Sequence, residues 1–160
     1  MRGEDRLASL IDALASSAPA PASGSAAAAT LAAAAALLQK VAVRSPKWEG
    51  ATEAHAKAES MRIRAEELVE LDSANYLAFI AALRSGERVP EARAGTLEAP
   101  REITRIAADV VSLAGELERN GNPNLRADAQ ASAILARAAA ETADLLVRVN
   151  ESAAGSGASG

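Results

Sequence analysis

Apolar residues along this chain recur at helical spacing, and polar ones fill the gaps between them. Leu7, Leu10, Ile11 and Leu14 share one side of a first helix predicted over Asp5–Ala15. The stretch Ser16–Ser25, rich in Ser, Pro, Ala and Gly, reads as a loop. A second helix of small side chains is predicted over Ser25–Val43, ended by Arg44-Ser45-Pro46 because proline disfavours continuation. A long third helix over Ala51–Arg84 carries the seam Ala54, Ala58, Met61, Ala65, Leu68, Tyr76, Phe79 and Leu83. Ser85–Ala99 contains Gly86, Pro90 and Gly95 and reads as a loop with room for one helical turn. A fourth helix over Pro100–Arg119 buries Ile103, Ile106, Val110, Leu113 and Leu117, and a fifth runs over Pro123–Glu151. Strand-like alternation is absent. The expectation is an all-α fold, an antiparallel bundle of about five helices in one domain over residues 1–151, with a disordered Gly/Ala/Ser tail over 152–160. The third and fifth helices are long and the core is mostly Ala, which suggests that apolar surface is buried against a second copy, as a homodimer.

Two acids interrupt the apolar stripes. Asp72 lies four residues after Leu68 and four before Tyr76, within the third-helix seam. Asp128 opens the face Ser132, Leu135, Ala139, Thr142 and Leu146, opposite the charged set Arg137, Glu141, Asp144 and Arg148. Each is expected to point inward, where an unpaired carboxylate is costly. Two carboxyls in one low-dielectric cleft push their pKa values apart, leaving one as base and the other as proton donor. The plainer readings are a buried Asp72 bonded to Tyr76 or an Arg, and an Asp128 favoured by the helix dipole. Three further segments can meet a ligand. Ser23-Gly24-Ser25 leads straight into a helix and offers free N–H groups and hydroxyls. Asn122 and Asn124, beside Gly121 and Pro123, can cap the next turn. Arg44 and Lys47 flank Pro46 and are candidates for a ligand's acidic tail.

Composition narrows the function classes. The net charge of −4 argues against a general nucleic-acid binder. Three aromatics (Trp48, Tyr76, Phe79) cannot form a base-stacking surface. There is no cysteine, and the single His55 disfavours a His-based metal site. The apolar run Ala26–Leu38 is read as too short to cross a bilayer, and no basic leader precedes it, so a cytoplasmic protein without membrane partners is expected.

A Pro/Gly/Ser loop opening a small-residue helix, an Asp followed by Tyr four residues on (Asp72, Tyr76), Ala99-Pro100, and Gly121-Asn122-Pro123-Asn124 with Asp128 together resemble the cyclodeaminase/cyclohydrolase family. The likeness covers about Leu7 to Asn150. It implies an all-helical dimer that binds a folate-type small molecule near the subunit contact. The implied reaction is ring closure of 5-formiminotetrahydrofolate with loss of ammonia, or hydration of 5,10-methenyltetrahydrofolate, with no metal or other cofactor. Carried onto this chain, Asp128 is the principal carboxylate and Asp72 the second acid, with exchangeable roles. Asn122 and Asn124 shape the pocket, and Ser23, Gly24, Ser25 and Lys47 contact the substrate. No formiminotransferase domain is seen in this chain, which favours the hydration. The loop Pro21-Ala22-Ser23-Gly24-Ser25 departs from the fuller glycine run of the family. That departure keeps two other readings open: a non-catalytic helical dimer that binds a ligand or partner protein, and an enzyme for another amidine or imine.

Overall fold

The computed structural model describes residues 3–155, all of whose regular structure is helical. The helices are α1 (Gly3–Leu14), α2 (Ser23–Val43), α3 (Ala51–Ser85), α4 (Val89–Gly95), α5 (Glu98–Asn120) and α6 (Arg126–Gly155), with a 3-10 turn at Pro123–Leu125. The five expected helices are present. The expected loop after α3 contains α4, a seven-residue helix with Pro90 in its first turn, where the missing N–H is harmless. Helix α6 runs on to Gly155, and residues 156–160 of the expected tail lie outside the described residues.

Helices α2, α3, α5 and α6 form the bundle, each antiparallel to its neighbours in chain order, and α6 returns antiparallel against α2. Helix α2 is its centre. Ala27, Ala28, Leu31, Ala34, Ala35, Leu38, Val41 and Ala42 are all buried, so this helix is apolar nearly all round. It spans 21 residues, longer than the Ala26–Leu38 run, and by length and composition it could cross a bilayer. Here it is covered by α3, α5 and α6 instead. Its partner stripe on α6 is Ala129, Ser132, Ala136, Ala139 and Ala143, small residues that let the two backbones approach. Ser132 donates to the Ala34 carbonyl at 2.8 Å across that contact.

The stripe on α6 departs from the expected one. Its centre is the Ala/Ser line, and Leu135 and Leu146 flank it, because close approach to an Ala-rich helix favours the smallest side chains at the contact. The α3 seam also stops early. Ala54, Ala58, Ala65 and Leu68 are buried, whereas Tyr76 and Leu83 are 39% and 49% exposed. The reason is length: α2 begins beside Asp72, so α3 overruns it, supported there by α4. Arg93 of α4 stacks on the Phe79 ring, 5.3 Å from its centre. Gly86 ends α3 in the left-handed conformation (φ 75°), and its N–H bonds the Ala82 carbonyl at 2.8 Å.

Candidate functional site

The antiparallel bundle sorts the sequence-predicted residues to its two ends. Ser23, Gly24, Ser25 and Asp72 meet at one; Lys47, Asn122, Asn124 and Asp128 gather at the other. Ser25 touches Asp72, and Lys40 touches Asp128, so the fifteen residue steps along α2 from Ser25 to Lys40 separate the acids by about 22 Å. The expected shared pocket for the two carboxyls is therefore not formed within one protomer. Helix order alone accounts for this, because α3 and α6 reach α2 at opposite ends.

At the first end the Asp72 carboxyl lies against the opening turn of α2. Its Oδ2 accepts from the Ser25 hydroxyl at 3.1 Å, and the Ser25 backbone N–H also bonds it. This supplies α2 with a cap from α3, since Ala22 at the N-cap position provides none. Burial is the largest influence on Asp72 and pushes its carboxyl above the ordinary aspartate range; the two Ser25 hydrogen bonds oppose that rise. Gly24 is the enabling residue. A Cβ there would fall 2.1 Å from Asp72 Oδ1 and 2.4 Å from Cγ, so only glycine leaves room for the carboxyl against the helix. Ser25 is fully buried, and its hydroxyl also lies 3.1 Å from the Val69 carbonyl and 3.0 Å from the Ser73 hydroxyl. Ser73, with Arg6, Ser9, Pro21, Val69 and Glu70, lines a cavity of about 590 Å³ beneath α1. Ser23, at the start of α2, is exposed. Ser73 was missed by sequence reasoning, because a Ser beside an Asp on a helix carries no signal until α2 packs across both.

At the second end a cavity of about 570 Å³ is lined by Val43, Arg44, Ser45, Pro46, Lys47, Trp48 and residues 120–124. Asn122 caps the 3-10 turn as expected: its Oδ1 accepts from the Asn124 N–H at 3.0 Å, and its amide nitrogen donates to the Arg44 carbonyl at 2.9 Å. Ser45 is buried and ties the two walls together. It donates to the Val41 carbonyl at 2.7 Å and accepts from the Asn122 N–H at 2.8 Å. Arg44 and Lys47 make no ion pair among the described residues, so the rim is cationic. Asp128 stands apart from this lining. It is 32% exposed and pairs with Lys40 at 3.7 Å, contrary to the inward position expected of it. Its stripe is rotated: Ala129 takes the buried place and leaves Asp128 at the edge. Among the described residues no group of three or more His, Asp or Glu side chains is placed to hold a metal ion.

Residues 6–154 match the family described as formiminotransferase-cyclodeaminase. Among solved structures, the fold is similar to formiminotetrahydrofolate cyclodeaminase from Thermotoga maritima, with a TM-score of 0.86 at 23% identity over 91% of this chain and 78% of that one. A comparison with curated protein sequences finds no match.

Proposed function

Because the chain belongs to the formiminotransferase-cyclodeaminase family, we propose that it is a one-carbon folate enzyme acting at the carbon between N5 and N10, as a 5,10-methenyltetrahydrofolate cyclohydrolase or a 5-formiminotetrahydrofolate cyclodeaminase. The observation that carries the reading is Asp72: a half-buried carboxyl with a raised pKa, held against a helix N-terminus by Ser25 and given room by Gly24. Burial that raises a carboxyl's pKa lets it hold a proton that a solvated aspartate would release more readily, which suits it to general acid–base chemistry.

In the deamination, N10 forms the new C–N bond while the formimino C–N bond breaks with its electron pair. Two protons reach the departing nitrogen, one lost from N10 and one given by Asp72, and ammonia leaves. In the hydration, water adds to the cationic amidinium carbon and Asp72 accepts one of its protons. The C–N5 bond then breaks with its pair, N5 takes a proton, the formyl group stays on N10, and one proton is released. In both, the ionised carboxylate also stabilises the amidinium cation. The principal acid thus moves from Asp128 to Asp72, since Asp128 is a partly exposed ion-pair partner.

The cavity with Arg44, Lys47, Asn122 and Asn124 suits a carboxylate-bearing part of the ligand. In a homodimer with antiparallel protomers, the Asp72 end of one copy faces the Asn122 end of the other, which would complete the family's expected site near the subunit contact. A second reading, a ligand-binding protein without turnover, is favoured by Ala22 and Ser23 in the loop and by the structural use of Asp72 as a cap.

One absorbance assay for 5,10-methenyltetrahydrofolate tests both reactions, because deamination forms this compound and hydration consumes it. Wild type should exceed the spontaneous rate in one direction, and Asp72→Asn should lose about 100-fold or more. Saturable folate binding with no turnover in either direction would leave the second reading. A larger loss in Asp128→Asn than in Asp72→Asn would return the principal role to Asp128.

A further inference from the structure

An acid that gives or takes a proton in every turnover must be reset, and with a ligand against its open side Asp72 has a hydrogen-bonded way out. The Ser25 hydroxyl has one proton and two acceptors at equal distance, Asp72 Oδ2 and the Val69 carbonyl, each 3.1 Å away. It also has a hydroxyl neighbour, Ser73, at 3.0 Å. When Asp72 is ionised, Ser25 donates to it and accepts from Ser73, whose oxygen is left to accept from the cavity beneath α1. When Asp72 is protonated, it donates to Ser25, which turns its own proton to the Ser73 oxygen, and Ser73 then donates toward the cavity. Both protonation states therefore keep every hydroxyl satisfied, which is the condition for moving a proton along a buried chain without stranding a polar group. Ser25 is sealed from solvent, and Ser73 reaches the cavity wall.

We propose that Ser25 and Ser73 form a proton relay between Asp72 and the cavity lined by Arg6, Ser9 and Glu70. The relay rests on the folate reading above. It runs inward in deamination, returning to Asp72 the proton lost to ammonia, and outward in hydration, releasing the proton taken from water. The charged groups at its mouth are Arg6 of α1 and Glu70 of α3; at its inner end, burial and the two Ser25 hydrogen bonds set the carboxyl. Ser25 and Ser73 are positioning residues, since they act only through Asp72.

The test is Ser73→Ala, assayed in whichever direction wild type turns over. Ser73 is half-buried and caps nothing, so the fold is unaffected and far-UV circular dichroism and melting temperature match wild type. The expected result is a fall of about tenfold in kcat at unchanged KM, a small part of what general acid–base catalysis contributes. Raising the concentration of a small buffer such as imidazole restores the rate by carrying protons in place of the hydroxyl, and Ser73→Thr recovers most of it. A merely structural role for Ser73 gives a loss that buffer does not rescue. Either that result or wild-type kcat in Ser73→Ala overturns the relay while the folate reading stands. No turnover by wild type itself overturns the folate reading and the relay with it.

Discussion

Replacing Gly24 by Ala separates the packing of the Asp72 site from ordinary helix propensity. The added Cβ would lie 2.1 Å from Asp72 Oδ1 and 2.6 Å from Oδ2, inside any allowed contact. The clash is with the tip of a side chain, so Asp72 swings away and α2 stays in place. That movement breaks the hydrogen bonds from the Ser25 hydroxyl and N–H and removes the cap of α2, each worth about 1–2 kcal/mol. Against this, Ala gains up to about 1 kcal/mol over Gly in a helix, less in its first turn, and the carboxyl recovers solvation. The net expected loss is roughly 1–2 kcal/mol, or about 3–6 °C in melting temperature for a chain of this size. In an Asp72→Ala background the clash is absent, and the same substitution should be neutral or stabilising by a few tenths of a kcal/mol. Urea unfolding of the four proteins of this cycle, followed by far-UV circular dichroism, measures the coupling, expected near 2 kcal/mol. Equal effects of Gly24→Ala in both backgrounds would refute the account of why this position is glycine.

Asp72 should also shape the pH dependence of stability. Its folded pKa is raised, so the folded state holds the proton longer than the unfolded chain; stability conferred below the ordinary aspartate range declines as pH rises through the folded value. Subtracting Asp72→Asn from wild type in urea titrations at several pH values should show that decline, and a difference growing with pH would mean a lowered pKa. Ser45→Ala strands the Asn122 N–H and should cost about 1–3 kcal/mol, with slack in residues 120–124 seen as faster amide exchange. Ala136→Leu overfills the α2–α6 contact and should cost about 3 kcal/mol by thermal melt, whereas a cost below ~1 kcal/mol would show the contact to be loose.

Helix type and the approximate ends of the five expected helices followed from local rules that hold before any packing. Periodicity, Pro46 after α2, Gly86 after α3 and the Asn122 cap act within a few residues, and each does in the structure what its chemistry dictates. The apolar face of α5 was legible for the same reason, because Ile103, Ile106, Val110, Leu113 and Leu117 are large and strictly spaced. Helix α6 was not, since a stripe of Ala looks like any other Ala, and only contact with α2 selects Ala129, Ala136 and Ala143 over their neighbours. That rotation took Asp128 out of the core.

By itself the chain determined that two acids, a Gly/Ser helix start and an Asn-Pro-Asn turn are present, and these carried the family resemblance. Which of them share a site is a property of pairs far apart in sequence. Antiparallel packing set Asp72 beside Gly24 and Ser25, sent Asp128 to Lys40, and put about 22 Å of α2 between them. Ser73 gained its place opposite Ser25 in the same way, from the packing of two helices whose meeting no local pattern records.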